Sequence, residues 1–302
     1  MVLEISDEIV AYHPDTLERL PVRVEDVLTR CRAHGDRRAE AIVRALPAHD
    51  GWLNAQQVDR LLIRVHCEMQ RLSEELQHGR RVGELLRPLL DVLGPRLQVI
   101  DIGCGMGYVI RWLASRAGLG PEVELIGVDY NRALVDEASR LAEMERLRCR
   151  FVVGNAFALK NPGGGSVPQL FLSTGVLHHF QGAGLEPFFG SHQTASAAGF
   201  VHFDFQPSPL AAFGSWLFHV VRTREPLSLH DGVVSARRVH SGQVLLAAAR
   251  AGAPRFQSQL YSTRLWKLPI QRVFLTLIGL PPEVWPNFEL ALGPRRSRLE
   301  AS

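Results

Sequence analysis

Lysine is nearly missing from this chain. Only Lys160 and Lys267 are present, so 32 of the 34 basic residues are arginine, a coding bias before it is a functional signal. Cysteine is also sparse: Cys31, Cys67, Cys104 and Cys149 lie 36, 37 and 45 residues apart. No pair has CxxC spacing, which excludes a zinc knuckle or a disulfide framework. Long apolar runs are lacking as well. The longest, Pro209 to Val221, spans 13 residues and is broken by Ser215 and His219, whereas a membrane helix needs about 20. Residues 1–20 carry Glu4, Asp7, Glu8, Asp15 and Glu18, a pattern unlike a signal or transit peptide. The expectation is a soluble, cytoplasmic protein without a membrane span.

Charge of one sign is not concentrated either. The net charge is +3. Residues from 201 onward hold 12 Lys/Arg against 6 Asp/Glu, a net of +6, which leaves −3 for residues 1–200. Part of that excess is the tail Arg295, Arg296, Arg298. A nucleic-acid enzyme usually shows a denser basic face. What is present is 302 residues, 46% hydrophobic and 22% charged. That is enough for one large globular domain or a domain with an appendage, and unlike a disordered chain, collagen or a coiled coil.

The chain changes character at Leu97. Before it, Val58, Leu61, Leu62, Val65, Met69, Leu72 and Leu76 repeat at spacings of three and four, predicting an amphipathic helix. A second helix, Glu84 to Leu93, runs into the Gly94-Pro95 stop. No strand signal appears before Leu97. After it come apolar strands at Val99–Ile102, Glu122–Val128, Cys149–Val153, Leu170–Thr174 and Phe200–Phe205, alternating with helices. Alternation of this kind predicts an α/β fold with a doubly wound, mostly parallel sheet. Pro162 to Ser166 reads as a surface loop. Most of the aromatic surface at Phe213, Trp216, Trp266, Phe274 and Trp285 should be core.

The sequence Asp101-Ile102-Gly103-Cys104-Gly105-Met106-Gly107 ends the first of these strands and opens a helix. Glycines there permit a sharp turn and a close backbone approach to a ligand at the helix N-terminus. The spacing is GxGxG, with Tyr108 where the third glycine of a GxGxxG dinucleotide fingerprint would stand. Asp129 closes the second strand 22 residues after Gly107. Its carboxylate can accept from both hydroxyls of a ribose.

With these features the chain resembles the class I S-adenosylmethionine-dependent methyltransferases. The matched residues are Asp101 to Gly107, Gly127-Val128-Asp129, Asn155-Ala156, and Ser173-Thr174-Gly175-Val176-Leu177-His178-His179-Phe180. The last block is similar to a segment of small-molecule, quinone-biosynthesis-like members. The resemblance implies a Rossmann-like fold with an N-terminal helical cap over residues 1–96. It also implies a cofactor-binding domain at 97–268 and a C-terminal extension at 269–302. The implied cofactor is S-adenosylmethionine. Asp101, Gly103, Cys104, Gly105 and Gly107 would form the loop beneath its methionine part. Asp129 would hold the ribose, Tyr130 would pack on the adenine, and Asn155 and Ala156 would address the adenine edge. The Thr174 backbone would lie near the methionine amino group. Asn155 stands where the family more often has Asp, and Gln169 where an acidic residue often opens strand four.

The acceptor is less legible. Nucleic-acid amino methylation in this superfamily uses an Asn/Asp-Pro-Pro-aromatic block after strand four, and Ser173 to Val176 does not match it. Metal-assisted catechol chemistry would need carboxylates there, and none precedes Asp204, so no metal is expected. His178 and His179 occupy the position instead. A neutral imidazole suits a general base for a hydroxyl or an activated carbon acid; the alternative is that both merely orient the loop. His179 is preferred, since His178 directly follows the strand and should be packed. His230 with Asp231 could be a further base and orienter, with Arg237 and Arg238 on an acceptor carboxylate; equally, Asp231-Gly232 is a turn signal. The leading expectation is O- or C-methylation of a small, hydrophobic or aromatic metabolite by a monomer or homodimer that binds no nucleic acid. The alternatives are a non-catalytic scaffold and a protein methyltransferase.

Overall fold

The computed structural model describes residues 3–159, 167–195, 197–264 and 272–300. The expected loop at 162–166, the boundary at 268 and Trp266 fall outside these residues. The chain forms two compact units, one of Met1–Leu72 with Pro207–Arg238, the other of Ser73–Gln206 with Val239–Ser302. This differs from the division at 96 and 268 expected from sequence, for reasons visible in the packing of each unit.

The first unit holds helices α1 (Ile5–Glu8), α2 (Val24–Ala33), α3 (Arg37–Arg44) and most of α4 (Ala55–Glu75), with α9 (Pro209–Arg222) and α10 (Pro226–Arg238). The α4 stripe is as its spacing requires: Val58, Leu61, Leu62 and Val65 are buried with Ile5, Val27, Cys31, Val43 and Leu227. Leu227 ties α10 into that core, which is why residues far along the chain belong here. Two-residue strand pairs, Ala11–Tyr12 with Arg19–Leu20 and Ala48–His49 with Trp52–Leu53, contradict the expectation of no strand before Leu97. They are too short to show a period of two. Asp231-Gly232 is not a turn but the interior of α10, where Gly232 admits the His219 ring.

The second unit is the α/β domain. Its strands are β1 (Leu97–Ile102), β2 (Val123–Asp129), β3 (Arg150–Val153), β4 (Gln169–Thr174), β5 (Gly199–Phe205), β6 (Gln257–Arg264), β7 (Arg272–Leu280) and β8 (Leu299–Glu300). Their order across the sheet is β8-β6-β7-β5-β4-β1-β2-β3. The five strands from β5 to β3 are parallel, and β7, β6 and β8 complete the sheet antiparallel. Residues after 269 therefore supply an interior strand, not an extension.

Helices cover both faces, as parallel strands require. Along β1, Leu97 and Val99 enter one core with α5 (His78–Leu93), α6 (Tyr108–Arg116), α7 (Arg132–Met144) and α12 (Trp285–Leu292). Ile100 and Ile102 enter the other with α8 (Leu185–Thr194) and α11 (Gly242–Gly252). Val82, Leu85, Leu86 and Leu89 of α5 are each at most 2% exposed in the first of these cores. Helix α5 thus belongs to the sheet and not to an N-terminal cap. Gln169, unexplained by sequence, donates from Nε2 to Gln98 Oε1 at 3.1 Å, and Gln98 donates to Glu124 at 3.0 Å. This amide ladder links β4, β1 and β2.

Chain order reverses between β1 and β4, and the crevice at the carboxyl ends of such a pair is where ligands collect in open α/β sheets.

Candidate active site

The glycine loop leaves β1 at this crevice. Gly103, Gly105 and Gly107 have φ of 69°, 52° and 70°, a region that side chains rarely tolerate. Space is equally restrictive. A Cβ on Gly107 would stand 2.2 Å from Phe151 Cε1, and one on Gly103 would stand 2.8 Å from Val176 Cγ2. The second figure shows that the loop after β1 touches the loop after β4. The N–H groups of Gly103 and Cys104 donate to the Val128 carbonyl at 2.8 and 3.1 Å. Burial, with Asp129 and Asp101 nearby, pushes the Cys104 thiol well above its ordinary value, so it stays protonated.

Asp129, at the end of β2, is bound to this loop. Its Oδ2 accepts from the Gly105 N–H and its Oδ1 from the Asn131 N–H, both at 2.9 Å. Asp101 is 2% exposed, and its Oδ1 has no hydrogen-bond partner. Burial, and then the charge of Asp129, raise the Asp101 carboxyl well above its ordinary value. Tyr130 is exposed. Beyond β3, Asn155 Oδ1 accepts from the Phe157 N–H at 2.9 Å, and the Ala156 carbonyl accepts from the Ser191 hydroxyl at 2.8 Å. Thr174 ends β4, and the Gly175 N–H donates to the Phe203 carbonyl at 2.8 Å. An orphaned buried acid, glycines that a Cβ would fill, a strand-end carboxylate and an exposed ring fit an adenosyl cofactor with an amino-acid tail.

The three histidines separate clearly. His178, in a 3-10 turn after β4, is buried, and its Nδ1 lies 3.1 Å from both Asp204 oxygens. Its backbone N–H also donates to Asp204 Oδ2 at 3.0 Å, while the Phe205 N–H donates to Oδ1 at 2.7 Å. Burial alone would raise the Asp204 carboxyl; the His178 imidazole and these N–H groups outweigh it and hold the carboxyl below its ordinary value. His179 is half-buried, its ring 4.5 Å from that of His178. The preference for His179 from sequence therefore gains no support, because the orienting carboxylate meets His178.

His230 belongs to α10 of the first unit. Its Nδ1 lies 2.6 Å from Asp231 and its Nε2 2.9 Å from Asp36. Asp231 in turn accepts from the N–H groups of Ile5 and Ser6 at 2.9 and 2.8 Å. Burial works against the charged ring, but hydrogen bonds and charge from Asp231 and Asp36 raise His230 above its ordinary value. With both nitrogens donating to carboxylates it has no lone pair to act as a base. This arrangement gives no support to the expectation that His230 is a base. Arg238, offered for an acceptor carboxylate, instead pairs with Glu4 and Asp7 at 2.9 and 2.8 Å.

Asp204 was the residue that sequence reasoning missed. His202 and Asp204 share a face of β5, and β4 lies beside β5, so a partner after β4 was the signal. His78, at the start of α5, packs edge-on against Phe274 with ring centroids 4.8 Å apart, its Nε2 buried without a partner. Burial and then Arg81 lower its imidazole to about 4.

Residues 99–195 match the family described as methyltransferase domain. Over those residues the chain is similar to a methyltransferase domain. No curated protein matches the chain. Among solved structures, the plantazolicin methyltransferase BamL is similar at 12% identity and a TM-score of 0.51, over 71% of this chain and 90% of that one, which shows the fold. A protein of Nostoc punctiforme, provisionally described as an O-methyltransferase, is similar at 21% identity and a TM-score of 0.44 over 68% of this chain. The chain spans 60% of that protein's length. A SAM-dependent methyltransferase from Aquifex aeolicus is similar at 13% identity and a TM-score of 0.41, over 66% and 91% of the two chains. Among the described residues, no helix is long and apolar enough to cross a membrane.

Proposed function

We propose that this methyltransferase moves a methyl group to oxygen or carbon of a small, hydrophobic or aromatic metabolite, with His178 as general base and Asp204 as its orienter. The pairing of His178 with Asp204 beside the glycine loop is the observation that carries the reading. Val176 packs on Gly103, and a Cβ on Gly175 would lie 3.9 Å from His178 Cε1, so the imidazole follows directly on the loop contact. S-adenosylmethionine supplies an electrophilic methyl on its sulfonium, open to in-line displacement. BamL was solved with S-adenosylhomocysteine, the product left by the same cofactor.

Each residue then has a task. Gly103, Cys104, Gly105 and Gly107 would pass beneath the methionine part, and the unpartnered Asp101 carboxyl would hydrogen-bond there. Asp129 would accept from the ribose hydroxyls with the lone pairs that Gly105 and Asn131 leave. Tyr130 would cover the adenine, Asn155 and Ala156 would read its edge, and the Thr174 backbone would meet the methionine amino group. Asp204 accepts a hydrogen bond from the Nδ1–H of His178, which leaves the lone pair on Nε2. That nitrogen would hold the acceptor's proton as the methyl group arrives.

Calorimetry on the full chain tests the cofactor half: S-adenosylhomocysteine should bind, and Asp129→Ala should weaken binding. Binding of NAD without S-adenosylhomocysteine would sink it. For the acceptor half, labelled methyl groups should pass from S-adenosylmethionine to members of a panel of phenols and activated carbon acids. Labelling of proteins or RNA alone would favour another acceptor class.

A further inference from the structure

One buried polar cluster has no part in the chemistry above. Ser173, His192 and His202 are 0% exposed and Ser191 is 5% exposed. They are linked across β4, β5 and α8 by hydrogen bonds whose direction can be worked out. A carbonyl only accepts, so His192, with Nδ1 2.8 Å from the Phe188 carbonyl, carries its proton on Nδ1. That nitrogen also lies 3.2 Å from Ser191 Oγ. Burial lowers His192 to about 3 and His202 well below its ordinary value, so each ring is neutral with one proton. His192 Nε2 is therefore bare, and His202 Nε2, 3.0 Å away, donates to it. His202 Nδ1 is then bare in turn and accepts from the Ser173 hydroxyl at 2.8 Å.

At the other end, Ser191 Oγ lies 2.8 Å from the Ala156 carbonyl and 2.7 Å from that of Phe188. The Phe188 carbonyl has two lone pairs and accepts from His192, so the Ser191 hydroxyl stands between two acceptors, one of them the Ala156 carbonyl. The donors point one way from Ser173 through His202 to His192, whose Nδ1–H meets the Phe188 carbonyl; Ser191 Oγ lies beside that nitrogen and carries the contact on to Ala156. Phe171, Phe188 and Phe200 enclose the two imidazoles, with centroids 4.7–5.3 Å away. In such surroundings aligned hydrogen bonds polarise one another, and a broken link is costly.

The receiving carbonyl belongs to the peptide between Ala156 and Phe157. The N–H of the same peptide donates to Asn155 Oδ1. Ser191 thus holds one end of this peptide and the Asn155 side chain is held by the other. We infer that Ser173, His202, His192 and Ser191 are positioning residues that set the Asn155 amide and so govern discrimination at the adenine 6-amino group. This rests on the reading that Asn155 and Ala156 face the adenine.

The test compares binding of S-adenosylhomocysteine and S-inosylhomocysteine, which has a 6-oxo group, to the full-length protein. Asn155→Ala should abolish the preference for adenine. Ser191→Ala should reduce that preference about fivefold, the worth of one ordinary hydrogen bond. Ser173→Ala, which alters no group in the Asn155 loop, should also reduce it, and the double variant should lose no more than Ser191→Ala alone. Nitrogen-15 spectra should show neutral His192 with its proton on Nδ1 and neutral His202 with its proton on Nε2, neither titrating between about pH 5 and 8. If Asn155→Ala acts and both serine variants leave the preference within about twofold, the cluster is core packing and the inference fails. If Asn155→Ala has no effect, the adenine assignment fails first. The opposite tautomer at either ring also overturns the relay.

Discussion

His178 Nδ1 lies 3.1 Å from both carboxylate oxygens of Asp204, so the side chain that follows β4 is oriented by the strand beside it. A carboxylate placed there fixes the tautomer of an imidazole and stabilises the cation it forms on taking a proton. His178→Ala should lower turnover about 10²–10⁴-fold at saturating S-adenosylmethionine, the usual worth of a general base. Asp204→Asn should cost part of that, about 10–10²-fold, because an amide holds the ring without its charge. His179→Ala should cost less than about tenfold. Single-turnover assays of the three variants check this; a larger loss from His179→Ala than from His178→Ala would reverse the assignment.

His230 predicts a pH dependence in the first unit. Its folded value is raised, through Asp231 and Asp36 overcoming burial, so its stabilisation is complete below the ordinary imidazole value of about 6.5 and is lost as pH rises through the folded value. Asp36 behaves oppositely. Burial would raise it, but the Ala39 N–H and His230 hold it low, so its share is present at neutral pH and lost in acid. Thermal melts should therefore show stability of this unit falling as the pH rises from about 6.5 through the raised folded value. His230→Gln should cost about 1–3 kcal/mol at pH 6, less than for a fully buried pair because Asp36 is 24% exposed, and should flatten the slope. An unchanged slope would mean that His230 is not the charged partner.

Much of this molecule was legible because its strands are buried on both faces. Near-continuous apolar runs such as Val99-Ile100 and Phe171-Leu172 mark parallel strands, and GxGxG with Asp129 marks the cofactor side. Three things were not legible. The unit boundaries depend on which core receives α5 and α10, and an amphipathic stripe does not name its partner. His230 beside Asp231 reads the same in sequence whether it is a base or a buried cation; Asp36, 194 positions away, decides it. The His192–His202 link likewise joins a helix to a strand, and no local spacing announces it.

Helix α5 makes a truncation informative. Val82, Leu85, Leu86 and Leu89 fill the core under β1, with Leu89 fully buried. A chain shortened to begin at Leu97 should fail to fold, and in the full chain Leu89→Ala should cost about 2–5 kcal/mol. Denaturant unfolding measures the second value. A cooperative transition in the shortened chain, at the midpoint of the parent, would show that α5 is not part of the core.

The glycine loop offers the sharpest steric test. Gly107 combines a φ of 70° with a position where a Cβ would overlap the Phe151 ring at 2.2 Å. The ring is 8% exposed and sits in a core, so it cannot swing away cheaply. Gly107→Ala should therefore disturb both folding and cofactor binding. Gly103 is different: its obstruction is the far end of Val176, 2.8 Å from the added atom. Shortening that neighbour should relieve the clash. Gly103→Ala is expected to weaken S-adenosylhomocysteine binding by about tenfold or more, and Gly103→Ala with Val176→Ala to regain part of it. The remaining loss then measures backbone strain at φ 69°. Calorimetric titration of the two variants decides the matter. If the second substitution restores nothing, contact between the loops after β1 and β4 is not what requires glycine at this position, and backbone conformation alone accounts for it.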